Sequence, residues 1–487
     1  MKRKFFAFIT LLAAGLSLSS CLNSDDDNEV VYSHDTAIST FSLGTMGRYM
    51  QRKSNQQLDS LVASAVTGSD YKFTIDQANR QIYNEDSLPA RTRTAASLAT
   101  ISAKNSSYIQ LYYVQDELKD GKYVDSVVWY SSSDSINFDK LPYLDKAGNR
   151  RNNIRVFAQD GSVYADYQLK INVHKEEADS FVWHPLVSAN ADLKGLAEMK
   201  ALSLGDKVYV FGKTSGNSPE LKVYATQNTD GASWNSVDEP NVSFAADAYD
   251  NVVAKDEELY LLDRGSVYKS TDAKTWTVVA ENTSLTRLIG ASPVGLYAYT
   301  ATGISSSLDG GATWTNEEVD VDNLPTKNIS VNVAAIRSTP NAVNVLLLGT
   351  RDEAKNDTVA TRWIYTADWN YGALAGNWNF VEYEKNQGYK LPWCEHLTGS
   401  TTDGGYVALG TGTIKKGDAS SKGAVWYKSL DGGLTWKEDS LANISKIALD
   451  VDKTVGFVRD ANNYYWVINN GNVWKGRFNK DGWIKKD

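Results

Sequence analysis

Apolar and polar residues alternate in short runs along almost the whole chain, from Tyr71-Lys-Phe-Thr-Ile75 to Tyr464-Tyr-Trp-Val-Ile468. A period of two puts alternate side chains on one face, so such runs predict half-buried β-strands. In the first half the runs are Tyr71–Ile75, Ser107–Val114, Ile154–Ala158 and Tyr167–Val173. They read as antiparallel strands, with Asp160-Gly161 as a hairpin turn. Gln56–Ala65 spaces its apolar residues differently and predicts a short helix. The class expected for residues 32–176 is an Ig-like β-sandwich, a common spacer on cell surfaces.

The second half is periodic. Asn251–Lys255, Glu258–Leu262, Ser266–Lys269 and Thr275–Val279 predict four short strands. Glu395–Thr398, Tyr406–Leu409, Ala424–Tyr427 and Thr435-Trp436 repeat the scheme. So do Val455–Val458, Tyr464–Ile468, Asn472–Lys475 and Gly482–Ile484. Ahead of the last strand of a unit stands a recurrent phrase: Ser307-Leu-Asp-Gly-Gly-Ala-Thr-Trp314 and Ser429-Leu-Asp-Gly-Gly-Leu-Thr-Trp436. A copy one residue shorter is Ser270-Thr-Asp-Ala-Lys-Thr-Trp276, and looser copies end at Trp234, Trp378 and Trp483.

The phrase has its own physics. Asp272, Asp309 or Asp431 can accept bonds from the N–H groups of a tight turn. Gly311 and Gly433 can take a positive φ. The hydroxyls of Ser270, Ser307, Ser429, Thr313 and Thr435 tie the two sides together, and Trp276, Trp314 and Trp436 bury large apolar surfaces. S-x-D-x-G-x-T-W resembles the Asp-box of sialidases and other propellers, which joins the last two strands of a blade at the rim. That resemblance implies fold, with no catalytic or calcium-binding role for these residues; one carboxylate per turn is far short of a calcium cage. The Trp spacing of 38 to 64 residues is that of propeller blades with insertions. An all-β chain with six blades over 177–487 is expected, or seven if Phe181-Val-Trp183 belongs to a swapped, ring-closing strand that protects the edges of the array.

Composition changes this picture little. Of 487 residues, 27 are Tyr, 14 Trp and 35 Gly, which suits β structure. The net charge of −9 speaks against nucleic acid as a partner. The N-terminus adds more. Lys2, Arg3 and Lys4 precede the apolar run Phe5–Leu16, a signal-peptide pattern over 1–20. Leu18-Ser-Ser-Cys21 resembles a bacterial lipobox, which implies acylation of Cys21 and anchorage to a membrane. Loss of the three basic residues takes the charge from −9 to −12. Asp25-Asp-Asp-Asn-Glu29, within an acidic tether over 21–31, resembles the export signal of surface lipoproteins, which implies the outer membrane and an exposed position.

With Cys21 acylated, Cys394 has no disulfide partner, and four scattered His make a metal site or cofactor unexpected. Cys394 and His396, two apart on a strand, are expected on one face without catalytic work. Lys200, Arg287, Arg337, His396 and Arg459 fall on or beside predicted innermost strands and would form a basic funnel for an anionic glycan or a protein partner. A sialidase would need an arginine triad, a Tyr nucleophile with its Glu, and an Asp acid. No Arg-Ile-Pro phrase occurs, and only Asp247 offers itself as an acid. Binding is therefore expected over cleavage, with display or assembly at the surface as a further alternative. Asp35–Phe41, Phe73–Asp76, Ile82–Pro89 and Ser180–Trp183 carry a resemblance spanning nearly all of the mature chain. It is to a Bacteroidota-type lipoprotein family of unknown function, with a sandwich-like domain before an Asp-box propeller.

Overall fold

A computed structural model describes residues 32–483, apart from 55–56, 107, 120–121, 146, 337, 340, 369–375 and 384–387. Cys21 and the tether lie outside the described residues. The chain forms two compact units that divide between Lys175 and Glu176.

In the first unit, six strands make one sheet in the order Phe73–Asp76, Gln81–Asn84, Tyr164–Lys170, Ile154–Phe157, Ile109–Lys119 and Lys122–Trp129. Alternation decides its faces: Ile154 and Val156 are buried, while Arg155 and Phe157 between and beside them keep partial exposure. Ile109, Leu111 and Leu169 join that inner face, and Phe41 and Leu43 pack onto it from the paired strands Ile38–Leu43 and Ala99–Ala103. Tyr164–Lys170 runs parallel to Gln81–Asn84, a departure from the all-antiparallel expectation. The expected helix is also corrected. Gln57–Thr67 is a strand laddered antiparallel to Thr45–Ser54, because a partner strand outweighs a weak helical spacing.

The second unit contains, among the described residues, six four-stranded antiparallel sheets. Their first strands are Leu196–Leu204, Val252–Lys255, Arg287–Ser292, Lys327–Ala335, Trp393–Thr402 and Gly456–Arg459. Each touches the first strand of the next sheet, and Gly456–Arg459 touches Leu196–Leu204, which closes the circle. Second strands such as Gly295–Tyr299 and Tyr465–Asn469 are buried at every position. They read as continuous apolar runs because a neighbouring sheet covers each face. Six apolar clusters fill the six spaces between sheets, including one that joins Val208 and Val210 of the first sheet to Trp466 and Ile468 of the sixth.

Closure bears out one expectation and corrects two others. Phe181–Val187 is a ring-closing strand, but it founds no seventh sheet; it pairs antiparallel with Asn472–Phe478 as the outer strand of the sixth. Gly482-Trp483 is therefore not that strand, and Asn479–Gly482 is a single 3-10 turn. A strand from the start of the unit thus locks its end, leaving no open edge at the seam.

The recurrent phrase folds as its chemistry requires. Asp309 accepts from the Thr313 N–H at 2.9 Å and hydroxyl at 2.6 Å and from the Ser307 hydroxyl at 2.8 Å. Ser307 Oγ in turn accepts from Gly311 N at 2.8 Å, and Trp314 Nε1 donates to Gly311 O at 2.9 Å. Asp431, Ser429, Gly433, Thr435 and Trp436 repeat every one of these bonds. The bonds from Thr313 hold the Asp309 carboxyl down at about 2. Gly311 and Gly433 adopt φ of +93° and +91°, where a side chain would be strained and would press on the preceding sheet. In the shorter copy Ala273 takes φ +61° in their stead, and Trp276 Nε1 donates to its carbonyl at 2.9 Å. Burying one such indole removes roughly 200 Å² of apolar surface, on the order of 5 kcal/mol before entropy.

Candidate functional site

The six first strands surround a cavity of about 770 Å³. Lys200, Arg287, His396 and Arg459 line it from four different sheets. Arg337 lies outside the described residues. Asp247 does not line the cavity; its exposed carboxylate pairs with Lys213 at 2.6 Å.

The expected basic funnel is corrected. Four cationic side chains line the cavity, Lys200, Arg287, Lys327 and Arg459, and four carboxylates face them, Glu198, Asp250, Glu353 and Glu395. Arg287 is ion-paired with Asp250 through Nη2 and donates through Nη1 to Thr326 O at 2.9 Å. Arg459 reaches Asp481 at 3.4 Å. Strand ends converge here from all sheets, so each arginine finds a carboxylate nearby, and desolvation favours pairing over an isolated charge.

Burial tunes the remaining groups. Lys200 Nζ donates to Asp250 O at 3.1 Å, and burial, with Arg287 adding to it, pushes the Lys200 ammonium down to about 7. Tyr249, which sequence reasoning missed, donates its phenol proton to Glu198 Oε2 at 2.5 Å. Burial and that carboxylate raise the Tyr249 phenol well above the ordinary tyrosine range. Burial lowers the His396 imidazole against the pull of Glu395, Asp452 and Glu198. His396 Nε2 and Arg459 Nε are both buried with no hydrogen-bond partner.

His396 reaches the cavity through a break in its strand's register. Cys394 pairs with Ile414 but His396 with Thr411, so the partner strand carries one additional residue at Gly412, φ +82°. A bulge of this kind re-aims the side chains around it. Cys394 therefore does not share the cavity face with His396; it is buried beside Gly410, and burial pushes its thiol up to about 12. Glu395 accepts from the Thr413 N–H at 3.0 Å and hydroxyl at 2.9 Å across the same bulge, and those bonds lower its carboxyl. Among the described residues no three of His, Cys, Asp and Glu gather as metal ligands, and no helix is long and apolar enough to cross a membrane.

Residues 177–486 match the family model described as the DUF6242 beta propeller domain, and residues 41–171 match the DUF6242 N-terminal domain, a domain of unknown function. The chain belongs to the DUF6242 family. The circle of sheets in this DUF6242 protein is thus the propeller that the family description names, and the whole is all-β. No curated protein matches the chain. Similar solved structures include a DUF4623 family protein from Bacteroides eggerthii DSM 20697, 11% identical over 84% of this chain and 100% of that one, TM-score 0.29. Another is the SapL1 lectin in complex with alpha methyl fucoside, 10% identical over 57% and 90%, TM-score 0.37. A third is the alpha-L-arabinofuranosidase PaAbf62A from Podospora anserina, 12% identical over 53% and 96%, TM-score 0.29. Likeness at this level assigns no function.

Proposed function

We propose that this DUF6242 protein is a surface lipoprotein, acylated at Cys21 in the outer membrane, whose sandwich-like first domain presents a six-bladed Asp-box propeller. The central cavity of that propeller binds a ligand without cleaving it. One observation carries the reading: Lys200, Arg287, His396 and Arg459 converge from four sheets on a single cavity, with donors left over. A buried polar atom without a partner costs about 1–3 kcal/mol, so a ligand acceptor that meets His396 or Arg459 recovers that cost on binding. Three of the four carboxylates are already committed, Asp250 to Arg287, Glu198 to Tyr249 and Glu395 to Thr413. What remains on offer suits a ligand rich in acceptors, a glycan bearing a carboxylate or a polar loop of a partner protein.

A second reading, glycoside hydrolysis, rests on the Tyr249–Glu198 pair, in which the carboxylate could take the phenol proton as the oxygen attacks. The raised Tyr249 phenol disfavours it. The test is a panel of sialylated, uronic-acid and neutral oligosaccharides on the full chain, scored for retention and for released product. Retention without product, weakened by His396→Ala and by Arg287→Ala, supports the binding reading. Product release that disappears in Tyr249→Phe overturns it in favour of hydrolysis. Neither retention nor product directs the search to a protein partner or to a role in display.

A further inference from the structure

We infer that the outer face of the six-stranded sheet in the first unit is a second binding site, one for a neutral polysaccharide. The face is defined by register. Trp129 stands opposite Gln110, Gln110 opposite Arg155, and Arg155 opposite Asp166, so these four side chains form one row across four strands. Beside it Phe157 stands opposite Tyr164, and Phe157 N donates to Tyr108 O at 2.8 Å. Ile109, Val156 and Ile154 occupy the opposite face and are buried in the core.

The rings form a continuous chain. Centroids lie 6.4 Å apart from Tyr108 to Trp129, 5.9 Å from Trp129 to Phe157 and 5.9 Å from Phe157 to Tyr164. Yet Tyr108, Trp129 and Tyr164 are 61%, 59% and 56% exposed. Large aromatic side chains left together in water mark interaction surfaces more often than ordinary surface. At the Trp129 end the row meets a cavity of about 710 Å³, lined among others by Ile101, Ser102 and Tyr130.

The polar row decides the occupant. Its cation, Arg155, is already held by Asp166 with two bonds of 2.7 and 3.0 Å. The guanidinium lies 3.8 Å from the Tyr164 ring centroid and 5.3 Å from that of Tyr112. An anionic ligand would find this charge neutralised by Asp166. A wholly apolar partner would strip water from Gln110, Arg155 and Asp166 without replacing its hydrogen bonds. A sugar chain meets both demands: its C–H faces lie on the rings, and its hydroxyls meet the polar row between them.

The test is electrophoresis of the full chain through native gels containing xylan, mixed-linkage β-glucan or mannan, with polygalacturonate as the charged control. Retardation by at least one neutral polymer is expected. Trp129→Ala and Tyr164→Ala should each weaken it about tenfold, the worth of roughly one ring contact, and together abolish it. Both side chains are exposed, so melting temperatures should stay unchanged. Tyr389→Ala, a comparably exposed ring in the other unit, should leave retardation unchanged. Retardation that survives both substitutions overturns the inference, as does the absence of retardation in all three neutral polymers. Self-association in sedimentation that Trp129→Ala abolishes would also overturn it and make this face a contact between copies.

Discussion

The rim turns and the inner strands of the propeller belong to the same sheets, yet the turns repeat and the strands do not. Ser307–Trp314 and Ser429–Trp436 share every hydrogen bond of their turns. The inner strands of the corresponding third and fifth sheets share no such set: one brings Arg287 to the cavity, the other Glu395 and His396. Repetition follows a demand that each blade meets alone, a tight turn that must satisfy its own backbone. Variety follows a demand met only once, at the centre, where six strands contribute to a single space.

Substitutions can break this contrast. The largest effect is expected at Trp436, which is fully buried: Trp436→Ala should cost about 3–5 kcal/mol in denaturant unfolding. Trp314 is only half-buried, so Trp314→Ala should cost clearly less, and equal losses would show that exposure does not rank the turns. Next comes Asp431→Ala, expected to cost about 1–2 kcal/mol because it removes the acceptor of a self-capped turn. For Asp309 the carboxyl lies at about 2 against 3.8 in its ordinary state. Its contribution is therefore present above 3.8 and is lost as pH falls from there toward 2. A flat acid limb for Asp309→Asn relative to the parent, in thermal melts over that range, would check the sign.

The inner strands should behave in the opposite way. His396→Gln should leave stability within about 0.5 kcal/mol, since it removes no bond, while retention on the glycan panel falls. Lys200 gives the most specific signal. It loses its proton at about 7 in the fold but at 10.5 when unfolded, so between those values the unfolded chain binds more protons. Stability should rise with pH above 7 through this group, and Lys200→Met should flatten that rise. A carboxylate ligand that needs the ammonium should bind more weakly as pH climbs through the same point. Cys394, buried with a raised thiol, should stay inert to thiol reagents until the chain unfolds.

Much of this was legible in the order of residues, and the reason differs from place to place. Where the strands of the second unit are short, apolar and bounded by turn residues, local pattern and observed structure coincide, as at Glu258–Asp263, Ser266–Ser270 and Tyr465–Asn469. In the fifth sheet the strands Gly405–Lys416 and Ala419–Ser429 run far past their apolar cores, and the last strand is Lys437–Glu438 instead of Thr435-Trp436. Gln57–Thr67 was misread because its spacing favours a helix weakly while its partner strand is decisive. Phe181–Val187 was recognised as a strand, but its place is set by Asn472–Phe478, nearly three hundred residues away. At the cavity, the inner-strand positions of Lys200, Arg287, His396 and Arg459 could be read from the strand pattern. Tyr249 could not, because it lies on the 3-10 turn Ala246–Asn251, which carries no periodic signal.

Sequence by itself determined the all-β class, the repeating unit and the chemistry of each rim turn, because those depend on contacts within a few residues. Only the tertiary structure decided that Phe181–Val187 completes the sixth sheet instead of adding a seventh, and which carboxylate faces each arginine. It alone showed that the cavity is balanced rather than basic, and that Trp129, Tyr108 and Tyr164 share one exposed face. Those outcomes depend on which distant side chains desolvation and closure bring together, and no local pattern in the chain encodes that meeting.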